Sequence, residues 1–256
     1  MKPPASKTLE ALINAEMTTS PVFLLVIFLP SVSALILPAA ASPVRPPPSA
    51  SSLPPATTDR TLSPLEAALL AAFRWQTQQQ TGVQHSEPGF HGMLQELRQY
   101  QREHTMREQA DTSLRIMTAL AGPFPAIFKP FAGEPWMPSL LAWFTTKLLS
   151  FLVGKSHLTQ RRKGDTRGGG VLIERCAVLE HGGCKGLCVH MCKLPTERMF
   201  AEQWGLPLHM APNFETCECQ LSFGAVPPSV EEDESLPTGC LGSCPLARDG
   251  GPLAEN

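Results

Sequence analysis

The chain has 256 residues, 43% of them hydrophobic, and a formal net charge of −2. That length suits one substantial domain with tails, or two small ones, with apolar material enough for a real core. The near-neutral balance argues against a nucleic-acid partner, which would call for a basic face; the one basic run, Arg161-Arg162-Lys163 with Arg167 nearby, lies among glycines and reads as a solvated loop.

Residues 22–29 (VFLLVIFL) form an apolar run too short to span a bilayer as a helix. Val32-Ser33-Ala34 follows as a small-residue cleavage pattern, so the run reads as the core of a signal peptide. Residues 38–58 are rich in Pro, Ala and Ser, and residues 17–58 hold no acid and a single base, Arg45. Residues 1–60 are therefore assigned to a leader and a disordered linker.

The folded part is expected to open at Ser63-Pro64-Leu65-Glu66, where Ser63 can cap a helix, Pro64 suits its first position and Glu66 completes a capping box. Leu65, Ala68, Leu69, Ala72 and Phe73 then repeat at helical spacing. A second helix is predicted to begin near Met93 and to run on toward Leu120, with His104 as a surface residue on it. Five prolines between Pro123 and Pro138 exclude a continuous helix there. Residues 139–153 (SLLAWFTTKLLSFLV) carry one charge, Lys147, and read as a buried core helix. In a second reading, Phe124, Phe128, Phe131, Trp136, Trp143, Phe144 and Phe151 line an apolar pocket or touch a membrane surface. Residues 61–160 are thus expected to form a helical region.

All eight cysteines lie between Cys176 and Cys244. VLIERCAVLE, from Val171, predicts a helix with Val171, Leu172, Cys176 and Leu179 on one side. Cys184, Cys188 and Cys192 stand four residues apart, which on a helix places them on one face, drifting about 40° per step. Residues 196–204 suggest a short helix. The segments at 208–210 and 217–223 suggest two short strands, with Pro212 and Asn213 in the turn between them. The fold class expected is mainly α with a small β-hairpin (α+β), a single helical domain whose C-terminal half, residues 171–245, is cysteine-rich and is followed by a disordered tail at 246–256.

Bridge geometry disfavours disulfides between neighbours one helical turn apart, yet each of the three could pair elsewhere. Convergent thiols also suit zinc, copper(I) or iron–sulfur clusters, but the two tight CxxC knuckles usual for zinc are missing. Spacing alone leaves metal, disulfide and free thiol all open.

The order of VLIERCAVLE, CKGLCVHMCKLPTERMF, GLPLHMAPNFE and LSFGAVPP is more specific. It resembles the plastid β-carotene isomerase family named dwarf-twenty-seven, whose plant members act in strigolactone biosynthesis. The matching positions are Glu174, Arg175, Cys176, Cys184, Cys188, Cys192, Lys193, Pro195, Thr196, Pro212, Asn213, Phe214, Glu215 and Cys219, with Cys240 and Cys244 a looser match. Thr216 departs from the usual acid after Pro-Asn-Phe-Glu, and Cys217 is an additional thiol. The resemblance implies an iron-dependent cis/trans isomerase that converts all-trans-β-carotene to the 9-cis form or a related isomer. Its iron, mononuclear or in an iron–sulfur cluster, would be held by Cys184, Cys188 and Cys192 with Cys176 or Cys219. Glu174 and Glu215 are the candidate catalytic acids or oxygen ligands, while Lys193 and Arg175 are read as structural. A non-catalytic iron–sulfur or zinc protein is the alternative. The leader then reads as a signal-plus-transit sequence to a plastid, with secretion as the alternative. A carotenoid substrate and a peripheral membrane contact are the expected partners; nothing sets an oligomeric state.

Overall fold

The computed structural model describes residues 62–161, 168–236 and 239. The leader, most of the basic run, Cys240, Cys244 and the C-terminal tail lie outside them. Among the described residues the elements run α1 (Pro64–Thr81), α2 (Gly89–Glu103), α3 (Met106–Ala121), α4 (Phe124–Phe128), a 3-10 turn (Lys129–Phe131), α5 (Met137–Leu148), α6 (Ser150–Val153), β1 (Ser156–Thr159), β2 (Gly170–Ile173) and α7 (Ala177–Gly182). Then come α8 (Lys185–Cys188), a π turn (Val189–Lys193), α9 (Leu194–Met199), a second π turn (Phe200–Trp204), β3 (Leu208–Pro212) and β4 (Cys219–Phe223).

The capping box at α1 forms as its residues dictate: Ser63 N–H donates to Glu66 Oε2 at 2.9 Å and Glu66 N–H donates to Ser63 Oγ at 3.3 Å. The expected long second helix is instead two. His104 has extended backbone, and Thr105 starts α3 with a second capping box to Glu108. The signal was the Thr-x-x-Glu spacing, which offers the backbone a cap in the middle of an otherwise helical pattern. The proline-rich segment breaks into α4, the 3-10 turn and the start of α5, since each proline removes a donor.

The small hairpin proves to be half of a sheet. Four antiparallel strands lie in the order β1-β2-β4-β3. The segment opening at Val171, read from sequence as helix, is the inner strand β2, and only its second part, α7, is helical. Val171 and Ile173 are β-branched, buried and preceded by three glycines, so sheet pairing outweighs the helical spacing of the later residues. The strands expected at 208–210 and 217–223 are β3 and β4; Pro212 is the last residue of β3, paired with Cys219, and the turn begins at Asn213.

Helix α5 packs across the sheet, and α3 packs against α9 and the first π turn. One core runs from Leu70 in α1 to Phe223 in β4, and it includes Cys176, Cys184, Cys188 and Cys219. The cysteine-rich half is therefore built into the same interior as the helices before it.

Candidate functional site

The cysteines are positioned by the stretch from α8 to the second π turn, which is unbroken helix over residues 185–204. Pro195 sits inside it. A proline there lacks the N–H for the usual bond and its ring crowds the carbonyl four residues back, that of Met191. The backbone answers with the π turn just ahead, where Leu194 N–H donates to Val189 O, five residues earlier. Such widened turns recur at functional sites, and this one holds Cys192 and Lys193.

Four thiols gather beside it, from four different elements. Cys176 is the N-cap of α7, Cys188 ends α8, Cys192 lies in the π turn and Cys219 opens β4. Burial pushes the Cys188 thiol well above the ordinary cysteine value, and Cys192, Cys219 and Cys176 push it further. Cys219 is raised in the same way, first by burial and then by Cys176 and Cys192. Cys192 is pushed up to about 12 by burial and by Cys176, against a lowering hydrogen bond from Thr196. The loop before β4 is held to the group by Cys176 N–H, which donates to Cys217 O at 2.7 Å. Cys217 adopts φ 60°, unusual for a residue with a side chain.

Cys184 has a contact of its own. It precedes α8 with extended backbone, and its thiol meets the buried Gln101 amide of α2, with Nε2 at 3.6 Å and Oε1 at 3.7 Å. Of the three equally spaced cysteines, Cys188 and Cys192 thus interact with Cys176 and Cys219, while the Cys184 thiol contacts Gln101. None of the six described cysteines is in a disulfide.

The two carboxylates singled out from sequence lie elsewhere. Glu174 pairs with Lys155 and His157, both at 3.2 Å, on exposed chain. Glu215 is exposed in the turn after β3, where its N–H donates to Asn213 Oδ1. Arg175 is paired with Glu180 at 2.7 Å.

The acid that does approach the thiols is Glu197. Lys193, only 1% exposed, donates to Glu197 Oε1 at 2.7 Å and to the Met210 carbonyl of β3 at 2.6 Å, and pairs with Asp233 Oδ2 at 2.8 Å. Glu197 Oε1 also accepts from Met210 N–H at 2.8 Å. Burial raises the Glu197 carboxyl above its usual range, against the pull of Lys193. Lys193 in turn favours the ionised form of Cys188 and Cys219. The four-residue spacing of Lys193 and Glu197 was a visible signal of a helical ion pair. Asp233 had none, because it lies 40 residues on within an acidic run.

The donor set suits a thiophilic metal, since buried thiols that oppose one another's ionisation are the ones a cation stabilises as thiolates. As the side chains stand, no three His, Cys, Asp or Glu among the described residues are grouped to hold a metal ion. Aromatic rings flank the helix. Phe124, Phe128, Trp204 and Phe200 stack in succession at centroid distances of 6.3, 6.2 and 5.4 Å, and Phe200 meets Phe223 of β4 edge-on at 5.3 Å. A separate apolar cleft of about 380 Å³ lies along α1, lined by Leu70, Arg74 and Trp75 among others and by no cysteine.

Residues 150–232, which include all four clustered thiols, match the family model described as Beta-carotene isomerase D27-like, C-terminal. Among curated proteins, the chain is similar to "Beta-carotene isomerase D27, chloroplastic" of Arabidopsis thaliana, 30% identical over 135 residues, 50% of this chain and 51% of that protein. It is also similar to the protein of the same description from Medicago truncatula, 27% identical over 170 residues, 64% of this chain and 66% of that one. The chain thus spans about half the length of the first relative and just under two thirds of the second. No solved structure matches it. Over residues 150–232 the chain is thus similar to the C-terminal domain of D27-like β-carotene isomerases.

Proposed function

We propose that the protein is a plastid carotenoid cis/trans isomerase that converts all-trans-β-carotene to its 9-cis or a related isomer, and that it depends on iron held by Cys176, Cys188, Cys192 and Cys219. The observation that carries this reading is the gathering of four thiols, three buried and Cys192 half-buried, from four elements, inside the segment that matches the D27-like domain. Coordination requires the thiols to come closer together than they stand. Cys184 is left out of the ligand set because its thiol is engaged by Gln101.

Iron bound by thiolates supplies one-electron chemistry, which lowers the order of a conjugated double bond and with it the barrier to rotation. The chain's own residues set the conditions. The core around the thiols excludes water, so charge in the site is weakly screened. Lys193 places a fixed positive charge beside Cys188 and Cys219 and offsets the negative charge of thiolates there. Glu197 and Asp233 fix where that charge sits. A hydrocarbon polyene offers almost no polar handle, so it must be bound through apolar contact, for which the half-buried rings of Phe124, Phe128, Phe200 and Trp204 are the candidates.

The test is metal analysis of the purified protein together with chromatography of β-carotene isomers after incubation. Iron together with a changed isomer pattern, and loss of both in Cys188→Ala, is the expected result. Iron without isomerisation of any carotenoid would leave an electron carrier instead. Full iron and activity in Cys188→Ala would remove the ligand assignment.

A further inference from the structure

Helix α5 is apolar nearly all round, yet only one side of it is covered. Met137, Pro138, Leu141, Ala142 and Thr145 are buried. On the opposite side Trp136, Trp143 and Lys147 are exposed at helical spacing, Trp136 by 45% and Trp143 by 40%, with Leu140 half-buried between them. The patch extends beyond the helix. Phe131, 46% exposed, meets Trp136 at a centroid distance of 5.9 Å, and Ile127 and Leu149 are exposed at either end of the same stretch of chain. Half of the large exposed hydrophobic residues among those described thus come from residues 127–149. An apolar patch of this kind is normally a contact surface.

Charge says what it contacts. Residues 111–165 hold seven bases and three acids, Asp111, Glu134 and Asp165, in a chain whose net charge is −2. Lys147 stands one turn beyond Trp143 on the outward side of α5, and Lys155, exposed and paired with Glu174, follows at the end of the same segment. Tryptophan and phenylalanine seated among lysines are suited to the headgroup layer of a bilayer, where the rings enter the acyl boundary and the ammonium groups meet lipid phosphate. Among the described residues no helix is long and apolar enough to cross a membrane. We infer that the outward side of α5, with Phe131 and Ile127, docks the protein on the surface of an anionic bilayer. This rests on the carotenoid reading in one respect: a substrate dissolved in lipid has to be drawn from a membrane. Phe124 and Phe128, next to the patch in sequence, begin the ring stack that ends at Phe223 on the strand carrying Cys219.

The experiment is sedimentation of the full chain, without carotenoid, with vesicles of phosphatidylcholine and phosphatidylglycerol mixed two parts to one, and with vesicles of phosphatidylcholine alone. The protein is expected to bind the mixed vesicles, with a blue shift of its tryptophan emission, and to be released by salt. Trp136→Ser with Trp143→Ser should weaken binding by about tenfold or more, and Lys147→Glu should weaken binding to the mixed vesicles more than to neutral ones. Both variants change exposed side chains, so circular dichroism should match the parent. Undiminished binding by the tryptophan variant would place the contact elsewhere, the leader included, and overturn the proposal. So would absence of binding, or a self-associated protein that the tryptophan variant dissociates without vesicles playing any part. Binding is read without substrate, so the two readings fail separately: binding without isomerisation removes only the enzyme, and isomerisation of detergent-dispersed β-carotene without vesicle binding removes only the docking surface.

Discussion

Two buried charge clusters sit in the two halves of the molecule, and they are built differently. In the helical half, Glu96 of α2 is fully buried and accepts from Arg74 at 2.8 Å, Gln78 at 2.7 Å and the His85 N–H at 3.0 Å. Burial works against its charge, but these donors win and hold the carboxyl below its usual range. One acid is over-supplied with donors, and Arg74 reaches toward solvent. In the cysteine-rich half the cation is the buried partner: Lys193 is shared by two carboxylates and a carbonyl, with thiols close by. The first cluster fastens α1 and α2 at a loop. The second joins the cysteine helix to β3 and to the segment around Asp233, so the charge near the thiols depends on three parts of the chain being in place at once.

The sharpest test of that contrast is Lys193→Met. It strands two buried carboxylates, and a stability loss of about 3–5 kcal/mol is expected from chemical denaturation. Glu96→Gln should cost less, about 1–3 kcal/mol, because the Arg74 guanidinium can regain water at the surface. If Lys193→Met were the milder change, the second cluster would not be the tighter one.

Next in size is a pH effect at Asp233. Burial raises its carboxyl, but Lys193 and Ser235 outweigh burial and hold it below the ordinary value of 3.8. A depressed carboxyl contributes stability that is present above 3.8 and lost as pH falls through the lower folded value. Limited proteolysis should therefore show the segment around Asp233 released in strong acid. In Asp233→Asn that step should vanish, with the segment already loosened at neutral pH.

The smallest change in stability separates the cysteines. Cys184→Ala removes a weak sulfur contact to Gln101 and should cost about 1 kcal/mol with iron content intact. Cys192→Ala should be comparable in stability and lose iron. Equal iron loss in both would return Cys184 to the ligand set.

Local chemistry made several features legible. The Ser63 capping box, the proline breaks after Pro123, and the strands β3 and β4 each depend on residues adjacent in sequence, where spacing and turn chemistry act directly. The Thr105 cap was equally local, but it is hidden inside a longer helical pattern. The candidate site was half legible. Four-residue spacing could say that Cys188 and Cys192 share a side, and the motif order pointed to a D27-like domain.

By itself the sequence determined the mainly helical class, the likeness of residues 150–232 to a D27-like domain and the restriction of every cysteine to the last third of the chain. Tertiary structure decided which thiols meet. Cys176 enters from beyond the end of an inner strand that helical spacing had disguised, and Cys219 from the strand paired with it, while Cys184 meets a glutamine 83 residues earlier. It also decided that Lys193 is a buried cation, through an aspartate no local pattern could assign to it. The physical reason is the same in each case. Helical period and turn chemistry act over a few residues, whereas sheet pairing and the burial of charge depend on partners the chain brings together only when it folds.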